Sequence, residues 1–297
     1  MLWDGQSPQR MSDLPPTGDH AALFRAAEGG AALCTIVGID GSFSRRVGTQ
    51  LAVAPDGSRV GDMADRCLDE ELAGQALSAM AEGQPRMLRY GQGSPFVDFR
   101  LPCGSGLDIW VDPAPDTVEL KRCVEQLEAR REAVLRLTFS EDLAPYLVRE
   151  RHYVPRLRIV LLGTGAESAA LVRLAAAQGI EVEWREAGQG LSLGQPPNDL
   201  FTDAWTAVLL LFHDHEWEQA LLDWALRTPV FYIGAQGGAP AREERLERLR
   251  ASGHGDVELA RIKSPVGLIP AARDPAVLAL SVLADVVGAY EALHPHQ

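Results

Sequence analysis

The chain has 297 residues, a net charge of −13, 46% hydrophobic and 23% charged residues. That length exceeds one typical domain and the composition suits ordinary globular cores, so two domains are expected. The acidic excess and the lack of a Lys/Arg-rich block speak against duplex nucleic acid, whose binding rests on neutralised phosphates, and equally against a membrane surface.

Met1 to Asp19 is polar and Pro-rich, with no apolar h-region. It reads as a disordered arm, taken to residue 20, rather than a signal peptide. The longest apolar stretch, Ala207 to Phe212, is too short to span a bilayer. Cys34, Cys67, Cys103 and Cys123 are widely spaced and lack a CxxC pair. Neither a disulfide framework nor a structural zinc site is expected, and a reducing cytoplasm fits best.

The first part is a mixed α/β domain, taken as residues 21–150 with a linker. Ala32 to Ile39 is a β-type run closed by Asp40-Gly41, and Gln50 to Ala54 is a second strand. Asp56-Gly57 signals a tight turn back into Arg59-Val60. Leu68, Leu72, Ala76 and Met80 repeat at four-residue spacing and predict a helix over about Ala64 to Met80. Phe96 to Arg100 and Leu107 to Val111 read as strands joined by the Cys103-Gly104-Ser105-Gly106 loop. Pro113 and Pro115 precede a charged helix, Thr117 to Arg131. Glu141 to Pro155 is polar and without a clear period, and the domain boundary is placed there.

The second part, residues 151–297, alternates strand and helix. Leu157 to Leu162 is continuously apolar, as expected of a strand buried on both faces of a parallel sheet. Helix Ala166 to Gln178, strands Ile180 to Trp184 and Ala207 to Phe212, helix Glu216 to Leu226 and strand Val230 to Ile233 follow. Helices Ala241 to Ala251 and Pro275 to Leu293 complete a Rossmann-like, doubly wound parallel-sheet domain.

Gly163-Thr164-Gly165 follows the first strand of that part and opens a helix, the arrangement that lets a backbone approach a pyrophosphate. The third glycine of the fingerprint falls at Ser168, and Glu186 stands where an acidic residue would meet a ribose. A nucleotide site and a scaffold that binds none both remain open. His213-Asp214-His215 lies where open α/β sheets gather ligands. Asp214 suits an N-cap, Glu216 and Glu218 suit the helix dipole, and a metal at the histidines is the lesser reading.

Cys67 begins a helix, where the dipole favours the thiolate, and Cys103 is followed by Gly104 and Gly106, which leave room beside the sulfur. Cys34, within a strand, and Cys123 read as small buried hydrophobes. Arg45 and Arg46, on the loop from Gly41 to Gly48, can fork onto a phosphate or simply be solvated.

Taken together, these segments resemble the xanthine dehydrogenase accessory protein (XdhC/CoxI) family over most of the chain. That family's GSSPRxxG loop is matched by Gly41-Ser42, Arg45 and Gly48. Its GSVSGGCVE is matched by Gly61, Cys67 and Asp69, and its CGG element by Cys103-Gly104. Its GAG-type turn corresponds to Gly163-Thr164-Gly165, its THDHE-like element to Phe212 through Glu216, and its YVG to Tyr232-Ile233-Gly234. Its SPIGL and GARTPEEIALSILAEI-like stretches correspond to Ser264 through Leu268 and Arg273 through Asp285.

The resemblance implies a protein that binds the molybdenum cofactor, a phosphorylated pyranopterin dithiolene. Such a protein protects the cofactor during sulfuration by a cysteine desulfurase and delivers it to an apo molybdenum hydroxylase of the xanthine dehydrogenase type. A non-catalytic chaperone and a homo-oligomer are therefore expected, with Cys67, Cys103, Gly104, Arg45 and Arg46 towards the cofactor. Gly163, Gly165, His213 and Asp214 are the candidates in the Rossmann-like domain. The chain departs from the family at Asp62-Met63-Ala64-Asp65-Arg66, where SVSGG is usual, and the two aspartates repel phosphate unless an arginine pairs with them. Phe43-Ser44, Gly237 through Pro240 and Pro270-Ala271 are further departures. The alternatives are an NAD(P)-dependent oxidoreductase using the Rossmann domain and a non-catalytic scaffold or regulatory relative.

Overall fold

The computed structural model describes residues 18–63, 66–94, 104–140, 145–197, 199–212 and 214–294. The described residues divide into two compact units, 18–155 and 156–294.

In the first unit α1 (Ala21–Ala27) precedes β1 (Ala32–Asp40), β2 (Gln50–Val53), β3 (Arg59–Gly61), α2 (Arg66–Glu82), β4 (Arg86–Gly91) and β5 (Gly106–Asp112). The strands form an antiparallel sheet in the order β3-β2-β1-β5-β4. Seven consecutive residues of β1 are buried because both faces of the sheet are covered. Cys34 and Ile36 pack with Leu68, Leu72 and Ala76 of α2. Leu33 faces the other way, against Leu23 of α1 and Leu120 and Leu127 of α3 (Thr117–Glu128). The same side holds Leu135 and Tyr153 of an antiparallel ribbon, β6 (Ala133–Arg136) with β7 (Glu150–Tyr153).

Two sequence expectations change here. Gly18–His20 forms a 3-10 turn with His20 buried, so the last residues assigned to the arm belong to the folded unit. The stretch before residue 155 contains β7, which spans the expected cut at 150/151. Its partner β6 lies in the first unit, so the division falls at 155/156. The strand expected at Phe96 to Arg100 lies outside the described residues, and among those described β4 forms the sheet edge next to β5.

The second unit contains β8 (Arg158–Gly163), α4 (Ala166–Ala177), β9 (Glu181–Ala187), β10 (Gly190–Leu191) and β11 (Thr206–Leu211). There follow α5 (Glu218–Leu226), β12 (Tyr232–Ala235), α6 (Ala239–Ala251), α7 (Asp256–Leu259), β13 (Ile262–Lys263) and α8 (Pro275–Glu291). The six strands are parallel in the order β10-β9-β8-β11-β12-β13. Numbered by appearance in the unit, that is 3-2-1-4-5-6, the Rossmann order. Ile159 and Leu161 of β8 face α4 and α8, whereas Val160 and Leu162 face α5 and α6. This is why the run is continuously apolar.

Several motif residues of this unit serve as internal locks. The Tyr232 hydroxyl donates to Asp285 Oδ2 at 2.7 Å, and the Gly267 amide donates to the same oxygen at 3.1 Å. The Lys263 ammonium meets Asp285 Oδ1 at 2.5 Å, and Ser281 Oγ accepts from the Ile269 amide at 2.7 Å. Burial, reinforced by the bond to Asp285, pushes the Tyr232 phenol well above its ordinary pKa. Glu218 does not serve the helix dipole at the surface. It is buried in a forked ion pair with Arg245, which also donates to Ser264 Oγ and the Gln236 carbonyl.

Candidate functional site

In the first unit the antiparallel register sends the C-terminus of β1, the N-terminus of β2 and the C-terminus of β3 towards one end of the sheet. The C-terminus of β4 and the N-terminus of β5 point the same way, since Asp40 pairs with Gly106 and Gly106 with Gly91. The loop of Arg45 and Arg46, the segment entering α2 and the loop before β5 therefore gather at that end. Gly41 and Gly48, which bound the arginine loop, have φ of 86° and 90°. A Cβ on Gly48 would stand 2.7 Å from Arg151 Cδ, so a buried guanidinium side chain presses on the loop's exit.

Cys67 is the second residue of α2 and is exposed. Arg45 Nη2 donates to Asp62 Oδ2 at 2.6 Å, tying the arginine loop to the segment that leads into Cys67. This is the pairing that the acidic departure from the family pattern calls for. Arg46 is half-buried, and its carbonyl accepts from the Thr49 amide. Gly104 is exposed at φ 68°, next to Ser105, whose Cα lies 3.5 Å from where a Cβ on Gly41 would stand. Arg45, Arg46, Cys67 and Gly104 thus share one end of one sheet, while Cys103 lies outside the described residues. Cys34 and Cys123 are buried free thiols.

In the second unit the switch point of the strand order lies between β8 and β11. Gly163 ends β8, Gly165 follows it and Asp214 follows β11, so these three residues lie at the strands' carboxyl ends. A Cβ on Gly163 would stand 2.3 Å from the Leu211 carbonyl oxygen, which explains the glycine by close strand packing alone. The Trp184 indole donates to the Gly163 carbonyl at 2.8 Å. Near Gly165 the nearest atom to a Cβ is Glu167 Oε2, at 3.2 Å, so a carboxylate lies beside the turn. Ser168, at the third glycine position, is buried where α4 packs. Asp214 Oδ1 accepts from the Glu216 amide at 3.0 Å and caps the 3-10 turn His215–Trp217 rather than α5 itself. His213 lies outside the described residues. Among those described, no cluster of three or more His, Cys, Asp or Glu could hold a metal, and no helix is long and apolar enough to cross a membrane.

The sequence did not single out a cleft of about 740 Å³ in the first unit, on the sheet face opposite α2. Its lining comes from β1, β5, α3 and β6, segments that only the fold brings together.

An antiparallel α/β unit displaying a thiol and two arginines at one end, followed by a 3-2-1-4-5-6 parallel unit, defines a two-unit Rossmann-containing protein. The XdhC Rossmann domain profile matches residues 159–286, and the XdhC and CoxI family profile matches residues 24–91. The chain is 34% identical over 287 residues to the Escherichia coli (strain K12) molybdenum cofactor insertion chaperone PaoD, covering 91% of this chain and 88% of that one. It is 24% identical over 315 residues to a Bacillus subtilis (strain 168) protein named as a probable xanthine dehydrogenase subunit, with coverage of 86% and 92%. A crystal structure of a protein described as a xanthine dehydrogenase from Bacillus halodurans superposes with a TM-score of 0.72 at 20% identity. That match spans 94% of this chain and 97% of the other, and supports the fold. The chain belongs to the XdhC and CoxI family.

Proposed function

We propose that this protein is a non-catalytic, molybdenum cofactor-binding accessory protein that assists maturation of a xanthine dehydrogenase-type molybdenum hydroxylase. The observation that carries the reading is the exposed Cys67 thiol at the start of α2, with Arg45 tied to the same segment. It is supported by 34% identity, across most of the chain, to a protein named as a molybdenum cofactor insertion chaperone.

The donor set fits the cofactor's chemistry. A thiolate is the soft ligand that suits molybdenum or its sulfido group, and a guanidinium fork suits the phosphate. Cys67 would face the metal end, with Cys103 and Gly104 as the second contact, and Arg45 and Arg46 would take the phosphate. Bound there, the cofactor supplies the redox centre that the client enzyme later uses. This chain's own residues hold it and screen it. The apo molybdenum hydroxylase is the partner to which it is delivered, a cysteine desulfurase is the source of the sulfido sulfur, and a homo-oligomer is the proposed assembly. The crevice at Gly163, Gly165, His213 and Asp214 is read as scaffold, because Glu167 places negative charge beside the glycine turn.

The test is purification from a host that makes the cofactor, followed by molybdenum and pterin analysis and addition to an apo molybdenum hydroxylase. Wild type should carry stoichiometric cofactor and raise the enzyme's activity, and Cys67→Ser should lose most of the bound cofactor. Equal, negligible retention by both would overturn the proposal in favour of a scaffold protein.

A further inference from the structure

We propose that Arg89 is a positioning residue of the site at the sheet end: its guanidinium fastens the roots of the arginine loop and of the loop carrying Gly104 to β5. It thereby sets the distance between the groups proposed for the cofactor's phosphate and for its second contact. What the loops hold rests on the carrier reading, whereas the fastening stands on the geometry of the chain alone.

Leu88 and Tyr90 of β4 pack with α2, so Arg89, between them, points to the opposite face of the sheet. Cys67 opens α2, and Arg89 therefore acts through the backbone and not by touching what the thiol touches. Asp108 is its anchor. This residue is buried, its carboxylate accepts from the Tyr146 hydroxyl at 3.1 Å, and a Cβ on Gly38 would stand 2.8 Å from the same oxygen. Arg89 Nη1 donates to Asp108 Oδ2 at 2.6 Å. The anchor cannot shift without its partners.

The other arms reach the loop roots. Nη2 donates to Asp40 Oδ2 at 3.2 Å, and Asp40 is the last residue of β1, directly before Gly41 opens the arginine loop. Nε donates to the Gln92 carbonyl at 2.9 Å, and the Gln92 amide donates in turn to the Ser105 carbonyl at 3.0 Å. Ser105 joins Gly104 to β5. Gly106 points the same way. Its φ lies outside the left-handed region, but a Cβ there would stand 2.5 Å from Arg89 Cζ, so the guanidinium lies against the backbone where β5 begins. Neutralising Asp108 needs only the first of these contacts. A planar fork with donors in several directions is needed to hold all of them. The same group offsets two carboxylates, Asp40 and Asp108, at the end where an anion is proposed to bind.

The test compares wild type, Arg89→Lys and Asp40→Ser as full chains, without ligand and after purification from a host that makes the cofactor. Lysine keeps the charge and can reach Asp108, but it lacks the fork. Without ligand, Arg89→Lys should speed both tryptic cleavage after Arg45 and Arg46 and exchange of the Gln92 amide at least fivefold, as local opening grows. The Ala54 amide, bonded to the Ser58 carbonyl at the other end of β2, should exchange as in wild type. Asp40→Ser should speed only the cleavage. Cofactor retention should fall at least threefold in Arg89→Lys. Wild-type cleavage rates in both variants overturn the fastening. So does joint acceleration of Gln92 and Ala54 exchange in Arg89→Lys with Asp40→Ser unaltered, which marks a general stabiliser. Loosened loops with unaltered retention overturn the positioning role and leave the carrier reading standing. A wild type that retains no cofactor overturns the carrier reading instead, and cleavage and exchange still decide the fastening.

Discussion

The described thiols differ mainly in how they meet water. Burial pushes Cys34 up to about 12, with the charge of Asp69 adding to it, and burial also raises Cys123. Cys67 is exposed at a helix start. Iodoacetamide at pH 8 should therefore modify the Cys67 peptide at least tenfold faster than those of Cys34 and Cys123, which should react only after denaturation. Comparable rates for the three in the native protein would remove Cys67 from its proposed role. A second residue-level contrast separates fold from ligand at the glycine turn. Gly163→Ala forces a methyl group to within 2.3 Å of a backbone oxygen, so β8 and β11 must part. A loss of about 1–3 kcal/mol follows from overpacking of this kind, and the urea midpoint should fall accordingly. An unchanged midpoint would mean that the glycine is kept for something other than packing. Such distinctions are invisible in the sequence, where Glu218 and Glu216 look alike and only the first is buried against Arg245.

Elements were legible in proportion to how one-sided their surroundings are. The strands β8 and β11 announce themselves because helices cover both faces and every position must be apolar. The edge strand β4 does not, because Arg86 and Arg89 interrupt it. Arg89 is tolerated there only because Asp108 and Asp40 take its guanidinium, at 2.6 and 3.2 Å. The four-residue strands of the β6–β7 ribbon and the two-residue strand β13 are too short for any period to show. The contact between α5 and the turn before α7 is equally hidden. It rests on buried His254, which lies 2.8 Å from Asp223 and 3.4 Å from Glu258. Burial acts to raise the Asp223 pKa, but hydrogen bonds from His254 and Arg227 outweigh it and hold the carboxyl below its usual range. Glu258 is lowered chiefly by the Gly255 amide. Carboxyls depressed in the folded state add stability above their unfolded pKa, near 4, and lose it as pH falls through the folded value. Acid unfolding should therefore steepen below about pH 4, and Asp223→Asn should flatten that limb while costing stability at neutral pH. Parallel acid profiles for wild type and Asp223→Asn would show that this contact contributes nothing to it.

At the scale of the whole molecule, the proposed ligand is anionic and the chain carries a net charge of −13, so the cations placed at the site decide the matter. The family likeness made Arg45 and Cys67 legible as candidates. Their gathering at one sheet end came from the register, and the cleft beside β5 was unreadable because its lining residues are spread over more than 100 positions. The acidic replacement at 62–66 looked hostile to phosphate, and the structure gives the answer a concrete form: Asp62 is taken up by Arg45. Both partners are substantially exposed, with side chains at 34% and 65%, and exposed pairs of this kind contribute about 0–1 kcal/mol. A phosphate carries more charge than a carboxylate and can engage both arms of the guanidinium, so it competes with the single contact from Asp62 for the same fork. Asp62→Asn should therefore leave stability within about 1 kcal/mol of wild type and retain at least as much cofactor, with less loss on raising salt. Arg45→Ala should lose cofactor severalfold while Cys67 keeps its reactivity towards iodoacetamide. If Arg45→Ala retains as much as wild type while Cys67→Ser does not, the thiol contact stands and the phosphate lies elsewhere. If Asp62→Asn retains less, the aspartate is itself a contact, and the acidic departure from the family pattern is an adaptation to the ligand instead of a burden on it.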